Sequence, residues 1–116
     1  MGFFRKLFGG EEPLDLTKPM SPEVRARHIE MIRDVSMWPH QVVLPMIREE
    51  TGQFGFLLAD DPGVLYFGFI AAIPNDVLEA LRGNASGAVL EAWKRNQTAI
   101  RFVDAPDMLD AGWCVD

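Results

Sequence analysis

The stretch "FGFLLADDPGVLYFGFIAAI", residues 54–73, decides the fold of this chain. A run of about 20 apolar residues can cross a bilayer, but Asp60, Asp61, Pro62 and Gly63 interrupt this one at its middle. Carboxylates at the centre of a membrane are costly, and an Asp-Pro-Gly sequence is typical of a tight turn. The stretch therefore predicts a hairpin, with strands over 54–59 and 64–70, instead of a membrane span.

Both strands of this hairpin are apolar on both faces, which is typical of a central position in a sheet. We expect Phe56 and Phe67 to lie in the core. The preceding segment, 41–47, is apolar and β-branched, but Pro45 has no amide hydrogen to donate, so the segment is predicted as an edge strand or a bulged strand. Residues 98–103 alternate between polar and apolar and predict a fourth strand.

Capping residues indicate where the helices begin. Ser21-Pro22-Glu23 combines a side-chain cap, an early proline and an acid that the helix dipole favours. An apolar stripe at helical spacing follows, and it consists of Val24, His28, Met31, Ile32 and Val35. Two shorter helices are predicted where apolar residues recur, at Val77, Leu78 and Leu81 and again at Val89, Leu90 and Trp93. A last helical turn is expected to begin at Asp104.

Strands joined by hairpins and followed by helices indicate an α+β domain. We predict an antiparallel sheet of about four strands with helices packed on it, in the order α-β-β-β-α-α-β-α. This single domain covers 21–116, and an amphipathic peptide and a linker occupy 1–20. The element order resembles that of the small acidic chaperones of bacterial type III secretion, a resemblance in the order of elements alone.

Charge and cysteine content restrict the partners and the compartment. The net charge of −6 argues against nucleic-acid binding, which requires cations that neutralise phosphates, and it allows a basic protein partner. Cys114 is the one cysteine of the sequence, so the chain can form no internal disulfide. A reducing cytoplasm is therefore the expected location.

The sequence contains no motif that names a reaction. His28 lies on the apolar stripe and is expected to bond to the backbone, His40 is expected in a solvated turn, and their spacing matches no zinc motif. Ser86 caps a helix and lacks the flanking pattern of a nucleophile elbow. Cys114 has no cationic neighbour that would activate its thiol, and the aspartates within 104–110 lack the glycine turn of a calcium loop. We predict no catalytic residue, no metal ligand and no cofactor.

Aromatic side chains are numerous, and Trp38 and Trp113 fall outside the predicted elements. We predict these two as partner-binding residues, because tryptophan is enriched where interfaces hold most of their binding energy. If helices cover only one face of the sheet, the other apolar face needs a protein partner or a second copy of the chain.

The first eight residues, "MGFFRKLF", have an amphipathic pattern. Arg5 and Lys6 would face one side of a helix. The opposite side would carry the predicted partner-binding residues Phe3, Phe4, Leu7 and Phe8. Burying those four side chains contributes about 6–12 kcal/mol, whereas ordering eight residues costs about 1–2 kcal/mol each. The peptide alone would therefore bind a membrane only weakly.

Three targets remain open for this peptide: a groove on another protein, its own domain, and a membrane surface. Packing on its own domain and docking on another protein stay equally open, ahead of a membrane. The hypothesis to test is that the peptide docks outside its own domain, because an ordinary terminus is polar and disordered. Gly9-Gly10 and the linker prolines suit that use, since they separate the tip from the domain.

Together these patterns favour a non-enzymatic protein-interaction module, such as a chaperone, an adaptor or an inhibitor subunit of a larger assembly, with an N-terminal docking peptide. The expected partner is a protein or a second copy of the chain. One alternative is a small enzyme or ligand-binding domain whose site is assembled from scattered residues. Another is a peripheral membrane protein anchored by 1–8. A pocket holding a strongly shifted carboxylate would favour the enzyme, and an apolar patch would favour the module.

Overall fold

The computed structural model describes residues 21–116, and the predicted N-terminal peptide and linker lie outside this range. Helix α1 covers Pro22–Arg33, and the Ser21 side chain caps it by accepting the amide of Val24. The helix ends at Arg33 because Asp34 adopts an extended backbone and its carboxylate captures the amide of Ser36. A short 3-10 turn follows, so Val35, the last member of the predicted stripe, lies outside α1.

Five strands form one antiparallel sheet. They are β1 (Val43–Arg48), β2 (Gln53–Leu58), β3 (Asp61–Phe67), β4 (Ala99–Arg101) and β5 (Trp113–Val115). Their order across the sheet is β4-β3-β2-β1-β5. The remaining helices are α2 (Asn75–Leu81), α3 (Gly87–Lys94) and α4 (Ala105–Asp110). The predicted α+β class is confirmed, with one strand more than the four expected.

The prediction that β1 is an edge strand is wrong, because β5 pairs with its outer side. Pro45 is tolerated there since its carbonyl accepts the amide of Asp116 at 3.0 Å, on the β5 side. The N–H and C=O of one strand residue point to the same side. The missing amide of Pro45 therefore faces Asp116, and the ladder between β1 and β2 is unaffected.

The hairpin between β2 and β3 turns earlier than predicted, at 59–60 instead of 61–63. The register runs from Leu57 opposite Leu65 to Leu58 opposite Asp61, so a bulge absorbs the residues between. The Asp61 carboxylate accepts hydrogen bonds from the Gly63 amide and from Arg101 of β4. These bonds hold the start of β3 in the sheet, which explains why the Asp-Pro-Gly sequence is not the turn itself.

Helices cover both faces of the sheet. The first face packs against α1 and α4, and its buried side chains are Met31, Ile32, Trp38, Leu44, Met46, Leu57, Leu65, Ala105, Met108, Trp113 and Val115. The second face packs against α2 and α3, and its buried side chains are Val43, Phe56, Leu58, Tyr66, Ile73, Val77 and Leu90. The sheet is therefore the middle of three layers, and the case in which one face has no helices does not arise.

The core prediction for Phe56 is confirmed, since its side chain is 2% exposed. Phe67 is half-buried and packs against the first face, where its ring meets that of Trp113 edge-on at 5.6 Å. Both tryptophans that were predicted to bind a partner are buried, at 5% exposure for Trp38 and 3% for Trp113.

Specific contacts fix both tryptophans in the first core. The Trp38 indole Nε1 donates to the carbonyl of Met31 at 2.7 Å, so its polar edge is satisfied inside the protein. Trp113 is part of β5, and its ring lies over Gly55 of β2. A Cβ at Gly55 would lie 2.8 Å from the carbonyl oxygen of Tyr66 and 3.1 Å from the Trp113 ring. Glycine is therefore required where the tryptophan crosses the strand.

We predict that Phe56→Ala lowers the free energy of unfolding by about 3–5 kcal/mol, because it leaves a cavity under α2 and α3. Val103→Ala is the matched control, since Val103 is 97% exposed and should change stability by less than about 0.5 kcal/mol. Urea denaturation measures both. A Phe56→Ala protein that unfolds at the wild-type midpoint would contradict the core assignment.

A second prediction concerns the ion pair between α1 and the start of α4. Arg33 hydrogen-bonds the Asp104 carboxylate at 2.6 Å and holds its pKa below the ordinary value. Such a carboxylate stabilises the folded chain above its unfolded pKa, and that contribution disappears as the pH falls through the lower folded pKa. Asp104→Asn keeps an oxygen for the helix cap but removes the charge.

Thermal melting of Asp104→Asn and wild type should therefore differ at about pH 7 and converge at about pH 2, where the carboxylate is protonated. A difference in melting temperature that stays constant across this range would show that the cap, and not the charge, determines the effect.

Candidate interaction surface

The shifted carboxylates of the domain belong to ion pairs on its surface. A hydrogen bond from Arg101 at 2.6 Å is the main cause of the lowered pKa of Asp61. Hydrogen bonds from Asn84 and then Arg82 lower the pKa of Glu79. A lowered pKa keeps a carboxylate ionised at neutral pH, whereas a carboxylic acid that donates a proton there needs a raised one. The Asp61 pair therefore joins β3 to β4, and the Glu79 bonds fix the end of α2.

The remaining candidates for chemistry have structural partners. His28 is 4% exposed, and its Nδ1 accepts the amide of Val115 at 3.0 Å, as expected for a histidine bonded to the backbone. The Ser86 hydroxyl accepts the amide of Ala88 at the start of α3. Cys114 is buried beside the carbonyl of Ile47. Within 21–116, no three histidine, cysteine or acidic side chains are placed to share a metal ion.

A cleft of about 480 Å³ opens at the start of β1. Its walls are the loop before β1, the 3-10 turn Ile70–Ala72 and helix α2. The lining residues are Pro39, His40, Gln41, Val43, Ile70, Ala71, Leu78 and Arg82. The lining is mainly apolar, with His40 and Arg82 as the ionisable groups and with no carboxylate among the lining residues. The cleft therefore suits an apolar group better than a strongly charged one.

An unusual backbone conformation shapes one wall of this cleft. Gln41 has φ 64°, a left-handed backbone conformation that residues other than glycine rarely adopt. Its amide donates to the carbonyl of Trp38, and the next amide, of Val42, donates to His40. His40 also forms an isolated bridge with Val43. This tight loop carries the chain from the buried Trp38 on the first face into β1, and it places His40 at the rim of the cleft.

An apolar strip continues from the cleft along the second face of β1. Side chains alternate between the faces of a strand, so Pro45 and Ile47 project on the same side as Val43, which is buried in the second core. Ile47 pairs with Phe54 of β2. The Phe54 ring contacts that of Phe69 at a centroid distance of 5.0 Å, and Phe69 is 61% exposed.

We call Val43, Pro45, Ile47, Phe54 and Phe69 the β1 strip. The aromatic core of this face lies further across the sheet, where Phe56, Tyr66 and Trp93 of α3 stack with centroids 5.6–6.0 Å apart. Helix α3 therefore packs on the β2–β3 side, and α2 reaches the start of β1 at Val43. Phe69 is left 61% exposed.

The sequence did not predict the β1 strip. Two predicted partner-binding residues, Trp38 and Trp113, lie in the core of the opposite face. The other four, Phe3, Phe4, Leu7 and Phe8, lie outside the described residues. One signal was available for Phe69. It follows Gly68, which comes directly after β3 and has φ 132°. The side chain of a phenylalanine just beyond the end of a strand is not placed in the core by the alternation of the strand.

No protein-family model, curated protein or solved structure compared with this chain matches it. The resemblance to secretion chaperones therefore still rests on element order alone. None of the helices between residues 21 and 116 has the length and apolar character needed to cross a membrane.

The left-handed residue of the cleft wall yields a prediction. Gln41→Val should lower the free energy of unfolding by about 1–2 kcal/mol, because a β-branched side chain clashes with the backbone at positive φ. Gln41→Gly relieves the same strain and should change stability by less than about 1 kcal/mol. Urea denaturation compares the two variants, and equal losses would mean that residue 41 is not left-handed in solution.

Proposed function

We propose that this chain is a non-enzymatic protein-interaction module that binds an apolar segment of a protein partner on the β1 strip. One observation carries the proposal: Phe69 is 61% exposed and rests on Phe54, and its chain neighbour Ile70 lines a mainly apolar cleft of about 480 Å³. A single exposed apolar side chain is ordinary. An exposed aromatic ring that lies next to half-buried apolar side chains, here Pro45, Ile47 and Phe54, is typical of a binding surface.

The strip has the properties of an interface anchor. Its base is β1, which is paired on both sides, by β2 and by β5, so the surface is rigid before binding. Because both edges of β1 are occupied, a partner cannot add a strand there and must bind through its side chains. Covering one phenylalanine ring contributes about 1.5–3 kcal/mol, so Phe69 alone would support only weak binding.

The remaining affinity would come from the cleft and from charge. An apolar side chain of the partner fits against Val43 and Leu78 in the cleft. The net charge of −6 favours a partner with basic residues around its apolar ones. Cys114 is buried and the chain offers no second cysteine, which suits a reducing, cytoplasmic setting.

The ligand-binding alternative has one feature in its support, the cleft that His40 and Arg82 share. The Arg82 guanidinium donates to Glu79 at 2.9 Å, so part of its charge is already compensated. An enzyme would be favoured by a pocket that holds a carboxylate with a strongly shifted pKa. Asp61, Glu79 and Asp104, whose carboxyl pKa values are lowered, are ion-paired on the surface instead.

The test is site-specific photo-crosslinking in cells that express this protein naturally. A photoreactive phenylalanine analogue at position 69 should capture a discrete partner, whereas the same analogue at Val103, which is 97% exposed away from the strip, should not. Phe69→Glu should reduce affinity for that partner at least 10-fold, since it places a charge in the apolar contact. Its far-UV circular dichroism spectrum should match that of wild type, which shows that the variant is folded.

His40→Ala should change the affinity for the partner by less than about threefold relative to wild type, because the strip and not the imidazole binds the partner. Equal crosslinking at positions 69 and 103 would contradict the proposal. Loss of cellular function in a folded His40→Ala protein with intact partner binding would favour the ligand-binding alternative.

A further inference from the structure

We infer that the N-terminal peptide of this chain, residues 1–8, is an internal ligand that covers the β1 strip and competes with the partner for it. The inference rests on the proposed function, because it assigns a regulator to the same surface. Residues 1–20 are the part of the chain outside the described range, and their point of attachment, length and pattern all fit the strip.

The point of attachment lies at the correct edge of the sheet. Arg25, in the first turns of α1, donates to the Asp110 carboxylate at 2.9 Å and also to the carbonyl of Pro106, both in α4. Helix α4 leads through a short turn into Trp113 of β5, which pairs with Arg48 at the end of β1. The first described residues, from Ser21, therefore lie on the side of β5 and of the last residues of β1.

The linker is long enough to reach the opposite face. The ten residues 11–20 span up to about 33–36 Å when extended. The path from the β5 edge to the strip crosses one or two strand spacings of about 4.8 Å and the thickness of one sheet layer, about 10 Å. A tethered peptide that can reach its site has an effective concentration there in the millimolar range. This high effective concentration offsets the weak affinity expected of so short a peptide.

The dimensions and chemistry of the peptide also match. An eight-residue helix is about 12 Å long, and the five residues of β1 from Val43 to Ile47 cover about 13 Å. Its apolar side would bury Phe69 and Ile47, and its two cations would be attracted by Glu50, an exposed acid that follows β1. Attraction between these charges favours one orientation on the strip.

The test uses the full-length purified chain without a partner, so its outcome does not depend on the proposed function. Amide hydrogen exchange followed by mass spectrometry should show protection in residues 3–8 of the wild type. Phe69→Glu should abolish that protection, and Val103→Glu should not. Protection should stay the same on 100-fold dilution, because binding within one chain does not depend on concentration. Absence of protection, or its loss on dilution, would overturn the inference, the latter in favour of a second copy.

A double-mutant cycle gives a second readout. Phe4→Glu and Phe69→Glu should each lower the melting temperature. The melting temperature of the double variant should be no lower than that of the less stable single variant, because the two substitutions remove the same contact. Additive losses of melting temperature, or no loss in either single variant, would contradict the inference that the peptide contacts the strip.

Competition with the partner distinguishes regulation from direct binding. Phe4→Glu should increase crosslinking of the partner at position 69, because it frees the strip. If Phe4→Glu instead abolishes partner capture, the peptide is itself the partner-binding element and the inference is overturned. If no partner is captured at all but protection of 3–8 is observed, the proposed function fails while the internal contact stands.

Discussion

Strand β2 is buried on both of its faces, and the rest of the domain is arranged around this constraint. Phe56 and Leu58 enter the second core, and Leu57 enters the first, all with 2% exposure or less. A strand with two apolar faces requires a neighbour on each side and a layer above and below. The chain supplies the neighbours as β1 and β3 and the layers as two pairs of helices.

The two layers differ in how completely they cover the sheet. On the first face, α1 and α4 are joined by ion pairs at both ends, Arg25 with Asp110 and Arg33 with Asp104, and the tryptophans fill the space beneath. On the second face, Lys94 forms an ion pair with Asp60 of the hairpin turn and so ties α3 to the β2–β3 side. Helix α2 covers only the start of β1, at Val43, and the rest of the β1 side of that face is left to the strip. This asymmetry is the physical basis of the proposed binding surface.

The sequence predicted the elements that local patterns determine. The hairpin, the capped start of α1 and the burial of Phe56 follow from turn chemistry, capping and two-faced apolar strands. Strand β5 was missed because it has only three residues and finds its partner, β1, more than sixty positions earlier in the chain. Pro45 correctly signalled an interrupted ladder, but the interruption faces Asp116 instead of an open edge.

The binding surface was less predictable than the fold for a related reason. Its residues come from the loop before β1, from β1, from β2 and from the turn after β3, and only the sheet register brings them together. Trp38 appeared to be exposed because it lies outside any predicted element, yet its indole nitrogen finds the Met31 carbonyl in the core. A buried tryptophan usually finds a hydrogen-bond partner for its indole nitrogen, and a sequence pattern does not reveal that partner.

The central claim, that a doubly covered β2 organises the domain, is tested most directly by native-state amide hydrogen exchange resolved by residue. The account predicts that the amides of β2 and of its partners in β1 exchange slowest, at the rate set by global unfolding. The three-residue strands β4 and β5, at the two edges of the sheet, should exchange faster. Exchange in β2 as fast as in β4 would contradict the account, since β2 would then open without unfolding the rest.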